Sequence, residues 1–180
     1  MKKKLENLAM EIACDSLNPD GNPEKRDPVC YKTENGYLVY DRFRILKTAD
    51  PVPGCRLETE ENKTIKYMSN LMKELYSLEK DYRMREIPSA KEIRQEIRQI
   101  CGRKRDRVVM RYRADMPALN AKEVIKGLEA LNAENLYIAW NNYRINPVFI
   151  VSDDDTEAAE NVMLILPVIA SEEKIGMWTV

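Results

Sequence analysis

Twice along this chain an apolar helical stripe is followed by three strand-like runs, and that repeated order constrains the fold more than any single motif. In the first half, Leu5, Leu8, Ala9 and Ile12 recur at helical spacing over residues 5–14, and strand-like runs follow at 28–32, 36–40 and 43–47. The second half begins with an alternating run at 107–113. A helix follows over 121–131, with Val124, Ile125, Leu128 and Leu131 inward, and then runs at 136–140, 147–151 and 162–168. Asn35-Gly36 is a hairpin signal between two of the runs. Asn120, with Glu123 three residues on, reads as a helix N-cap and capping box. In the run Leu136–Trp140, the side chains of Leu136, Ile138 and Trp140 share one face. Two such units pack about a pseudo-twofold axis, joining their strands into one sheet backed by two helices, an α+β layer architecture.

Residues 1–180 read as one domain with a helical insertion at about 56–105. Within the insertion, Met68, Leu71, Leu75, Leu78 and Tyr82 form the stripe of a helix from Thr64 to Arg83. Pro88 interrupts, and Ser89 then caps a helix carrying Ile93, Ile97, Ile100 and Cys101, with Gly102 as its stop. Near the other end, Pro167 has no N–H to give to a sheet ladder, so the strand "VMLILPV" must end there or lie at an edge, beside a surface.

The chain has no histidine, which removes the commonest general base and metal ligand. It has no P-loop, no dinucleotide glycine fingerprint and no nucleophile elbow. Cys14, Cys30, Cys55 and Cys101 form no closely spaced pair of the kind structural zinc uses, and read as four reduced thiols. The acidic run "SDDDTEAAEN" lacks the ligand spacing of an EF-hand and reads as a solvated hairpin loop. No catalytic residue, cofactor or metal is therefore assigned. No apolar run approaches the ~20 residues of a membrane span, so no membrane partner is expected. Glu6, Asn7 and Glu11 break any secretion-signal core, and the expected compartment is the cytoplasm.

Charge is unevenly distributed. Residues 91–113 carry nine Lys or Arg against three Asp or Glu, although the whole chain has a net charge of −1. Arg94 and Arg98 fall on one helix face, and Arg103, Lys104, Arg105 and Arg107 form a dense cluster. These are candidates for phosphate contact, with a solvated surface as the alternative.

The stretch "LNAKEVIKGLEALNAENLYIAWNNYRINPVFIVSDDD", followed by "NVMLILPV", resembles the end of bacterial DNA sliding clamps, the processivity subunits of replicative DNA polymerase. "ENGYLVYDRFRILK" is similar to a clamp pattern that falls here on Gly36, Tyr37, Leu38, Asp41, Arg44, Ile45 and Leu46. The order of elements also matches one clamp domain, built from two strand-helix-three-strand halves. Residues 52–105 fall outside the likeness, and Ile169 stands where clamps usually carry arginine.

The resemblance implies a non-enzymatic, clamp-like, DNA-associated or replication-associated accessory protein, binding the backbone of double-stranded DNA or a replication protein. Lys2, Lys3, Lys4, Lys122 and Lys126 would lie on or beside the DNA-facing helices. Leu166, Pro167 and Val168 would border a pocket for short apolar peptides of partners. The alternative for that pocket is a strand end covered by the chain's own Met177 and Trp178. The alternative function is a protein-interaction or regulatory module that keeps the fold without binding DNA. Self-association of identical domains is compatible with the resemblance.

Overall fold

The computed structural model describes residues 3–15, 27–60, 63–78, 82–84, 86–101, 108–132, 136–141, 146–152, 161–169 and 175–177, the last of these by backbone alone. Expectations for Lys2, Gly102, Arg103, Lys104, Arg105, Arg107, the acidic run at 153–160 and Trp178 lie outside the described residues, as does the side chain of Cys101.

The described residues are mixed α+β, with four α-helices and a large sheet. Helix α1 (Lys3–Asp15) buries Leu5, Leu8, Ala9 and Ile12, the stripe expected from sequence. Three strands follow: β1 (Val29–Thr33), β2 (Gly36–Tyr40) and β3 (Arg44–Thr48). The β1–β2 turn needs Gly36, whose φ is +123°, and a Cβ there would stand 2.6 Å from the Thr48 carbonyl oxygen.

The second meander comprises β8 (Tyr137–Ala139), β9 (Val148–Val151) and β10 (Val162–Ile165), preceded by α4 (Ala121–Leu131). Asn120 caps α4 by accepting from the Lys122 N–H at 3.0 Å. At the other end Asn132 takes the left-handed conformation, with its N–H donating to the Leu128 carbonyl.

The two meanders meet at β3 and β10, which pair antiparallel with Leu46 opposite Met163 and Ile45 opposite Leu164. The six strands thus run one, two, three of the first meander against three, two, one of the second. Helices α1 and α4 pack side by side on one face. Gly127 lets α4 approach the sheet closely, since a Cβ would come within 2.7 Å of Ile150 and 2.8 Å of Met163.

The insertion departs from expectation in three ways. The helix expected to Arg83 stops at Glu74 as α2 (Lys63–Glu74), followed by one 3₁₀ turn over Leu75–Ser77. There the Ser77 hydroxyl donates to the Glu74 carbonyl, a local bond that competes with the helical ladder. Two short strands were not anticipated: β4 (Arg56–Glu58) pairs parallel with β1, and β5 (Arg83–Met84) pairs antiparallel with β8. They extend the sheet to eight strands and form both of its edges.

Helices also cover both faces rather than one. On the α1/α4 side, α3 (Ala90–Cys101) packs on α4 and inserts Ile93 and Ile97 into the core. Ser89 caps it as expected, its hydroxyl oxygen accepting from the Glu92 N–H at 3.3 Å, and Glu92 closes a capping box by accepting from the Ser89 N–H and hydroxyl at 2.7 Å each. On the opposite side Met72 of α2 and Leu75 just beyond it pack against Leu38, Ile45, Phe149, Val151 and Leu164. The sheet is apolar on both faces, so it needs cover on both.

The run at 107–113 does not enter the main sheet. It forms β6 (Val109–Arg111) of a separate three-stranded sheet with β7 (Leu119–Asn120) and β11 (Ile175–Met177). The slot beside β3 is already occupied by β10. Pro167 marks the passage between the two sheets. Strand β10 ends at Ile165, the Leu166 N–H donates to the Phe43 carbonyl at 2.8 Å, and the Val168 N–H donates to the Ala118 carbonyl at 2.8 Å.

Candidate functional site

A charged cluster holds the α1/α4 face together. Arg44 on β3 is only 4% exposed. Its guanidinium reaches Glu11 at 2.6 Å, Asp15 at 2.7 Å, Asp41 at 2.7 Å and Glu123 at 2.8 Å. The planar fork of donors suits several carboxylates at once. Asp41 is itself fixed by the turn, accepting from the Phe43 and Arg44 N–H groups at 2.7 and 2.8 Å. Glu123, expected to close a capping box, is directed instead to Arg44 and, at 3.6 Å, to Lys126. Lys126 also pairs with Glu11.

Burial works to raise the Glu11 carboxyl's pKa, but the hydrogen bonds and charges of Arg44 and Lys126 outweigh it and hold the group below its ordinary value. For Arg44, burial lowers the pKa, yet Glu11, Asp41 and Glu123 raise it further, so the charge is retained. One guanidinium thus ties α1, α4 and the β2–β3 turn to a central strand. Four carboxylates face two cations, leaving this junction net negative.

The basic residues of the helical face divide accordingly. Lys126 is committed to Glu11 and Glu123. Arg94 makes a two-pronged contact with Glu129 of α4, one arm at 2.9 Å, and the pair lowers the Glu129 pKa. Lys3 and Lys4 of α1, Lys122 of α4 and Arg98 of α3 are exposed and have no ion pair among the described residues.

Leu166 lines a different feature, a cavity of about 290 Å³ on the α2 side. Tyr67, Met68 and Leu71 of α2 form one wall, and Tyr40, Asp41 and Ile45 belong to the other. Leu166 is half-buried there. Pro167 and Val168, also half-buried, lie just beyond the cavity rather than in its lining. Tyr67, a large apolar side chain left 60% exposed, gathers there with Ile45, Met68, Leu71 and Leu166. Apolar surface gathered at one place marks an interaction site more often than isolated exposed residues do.

Sequence reasoning placed Leu166 at such a pocket and missed its other wall. Met68 and Leu71 belong to the helical stripe expected from spacing, and Tyr67, off that stripe on an amphipathic helix, is the available signal for a wall.

The thiols offer little chemistry. Burial pushes Cys30 up, and burial together with the neighbouring Cys30 and Cys14 pushes Cys55 up to about 11, so neither presents a reactive thiolate. Among the described residues no group of His, Cys, Asp or Glu is arranged to hold a metal ion. Nor is any helix among them long and apolar enough to cross a membrane.

The chain matches no protein-family model, no curated protein and no solved structure.

Proposed function

We propose that this chain is a non-enzymatic accessory module with a clamp-like domain, and that it works by holding a partner protein through the cavity at Leu166. The observation that carries the reading is the cavity itself: a mainly apolar groove at the proline-terminated end of β10, with Tyr67 exposed in its wall. A short extended segment with adjacent apolar side chains fits a groove of this kind. The sequence likeness to sliding clamps makes a replication protein the preferred partner. Support for the clamp-like part comes from the two meanders joined at β3 and β10 and from the packing of α1 on α4.

A ring of clamp type joins subunits through sheet edges. Here the edges belong to β4 and β5, three and two residues long, and β4 carries the Arg56–Glu58 ion pair. Short, charged edges discourage pairing between chains, which supports a monomeric module.

Backbone contact with duplex DNA is a second reading, favoured by exposed Lys3, Lys4, Lys122 and Arg98 on the three-helix face. The net-negative Arg44 junction between α1 and α4 opposes a polyanion there. The first reading is tested by fluorescence anisotropy with a labelled peptide carrying adjacent Leu and Phe. Saturable binding weakened about tenfold by Tyr67→Ala is expected, a loss of about 1.4 kcal/mol. Absence of saturable binding, with salt-sensitive binding of generic duplex DNA in its place, would favour the second reading.

A further inference from the structure

The opposite flank of α2 carries a second cleft of different chemistry, about 250 Å³ in volume, enclosed by the β1–β2 hairpin, β3 and α2. Three lysines converge on it: Lys47 from β3, and Lys66 and Lys73 from α2. Glu34 is the only acid in its described lining, so the cleft is locally cationic in a chain whose net charge is −1.

The lysines differ in how they are held. Lys47 is 8% exposed, an unusual depth for an ammonium group, and burial lowers its pKa. It is engaged within the chain as well, so the charge available to a ligand falls mainly on the two helix lysines. Lys73 reaches Glu34 only at 4.0 Å, with the Glu34 side chain 88% exposed, a pair of little energetic weight. Lys66 has no ion pair among the described residues. Lys66 and Lys73 are two helical turns apart, about 10 Å along the axis.

Polar groups complete the lining. The Thr33 hydroxyl is spent on the Gly36 carbonyl at 3.0 Å. Asn70 lies beside the lysines. Ser69 also contributes to the lining, and its buried hydroxyl has no hydrogen-bond partner among the described residues. An unpartnered buried hydroxyl is a cost that a ligand oxygen could relieve.

We propose that this cleft is a binding site for a small polyvalent phosphate-type anion, spanned between Lys66 and Lys73 with Lys47 beneath it. A short oligophosphate carries several anionic oxygens along its length and so offers charge to both helix lysines at once, which suits their spacing along α2 better than a single small ion. The site is independent of the peptide groove, since α2 separates the two.

The test is isothermal titration of the full chain with inorganic tripolyphosphate at low salt, with inorganic phosphate titrated in parallel. Saturable one-to-one binding is expected, tighter for tripolyphosphate than for phosphate and weakened by added salt. The exposed-residue variant Lys66→Ala/Lys73→Ala should lose about tenfold or more in affinity. The variant Lys3→Ala/Lys4→Ala/Lys122→Ala, on the far face, should bind as the unaltered chain does. Equal affinity in the Lys66/Lys73 variant, a loss confined to the far-face variant, or no saturable heat would each overturn the proposal. An unchanged melting temperature in the Lys66/Lys73 variant shows that the fold is intact.

Discussion

One face of the main sheet is covered by three helices, two of which, α1 and α4, are pinned through a buried arginine. Among the described residues the other is covered by α2 and the 3₁₀ turn that follows it, through contacts that are mostly apolar. On the first face, Arg44 fixes where α1 and α4 sit, because its guanidinium reaches both helices and the turn at once. On the second face, one narrow helix cannot cover eight strands, and grooves remain along both of its flanks. The contrast teaches that the face with the denser cover fixes the helices, while the face with the thinner cover leaves clefts between α2 and the strands beneath it. The two helix-and-meander halves supply the frame, and α2 completes the clefts against it.

The comparison breaks most visibly at Arg44. Replacing it in Arg44→Met leaves Glu11, Asp15, Asp41 and Glu123 with too few cations. The expected cost is about 3–5 kcal/mol in urea unfolding, since removing one partner strands the others. A loss below about 1 kcal/mol would show that the two helices are held by apolar packing alone. On the other face, Leu75→Ala should cost about 3 kcal/mol, because Leu75 is 1% exposed in the α2-side core. A near-neutral result there would mean that α2 rests on the sheet without being part of the core.

Acid should act on the first face in preference to the second. The folded Glu11 pKa lies below its ordinary value of 4.5. Its contribution is therefore present above that value and is lost as pH falls through the lower, folded-state value. Glu11→Gln should accordingly flatten the fall in stability below about pH 4.5, while Leu75→Ala should leave that slope unchanged. The smallest effect belongs to Tyr67→Ala. With 60% of the residue exposed, stability should change by no more than about 0.5 kcal/mol, even as peptide affinity falls.

The two faces were not equally legible in the sequence. Helices α1 and α4 and the six meander strands follow from spacing, because each carries enough apolar positions to set a period. Strand β4 reads Arg-Leu-Glu and β5 Arg-Met, with one apolar residue each and so no period to read. The unbroken apolar runs at 148–151 and 162–165 already signalled burial on both faces, yet a one-sided helical layer was the expectation.

The Arg44 cluster draws on positions 11, 15, 41, 44 and 123, so no local pattern could assemble it; only Asp41 and Arg44 stood out, through the likeness to clamps. Leu166 was a candidate through the likeness to clamps, with the missing N–H of Pro167 as its physical reason, and it lines a cavity. The α2 wall of its groove was hidden because half-buried Met68 and Leu71 have the same spacing as a core stripe.

The most direct measurement is a hydrogen-exchange footprint of the full chain with and without the Leu-Phe peptide. Slowed exchange at residues 40–45, 67–71 and 166, with residues 3–11 and 122–129 unchanged, is the predicted result. Slowing confined to α1 and α4 would place the working surface on the three-helix face and contradict the account.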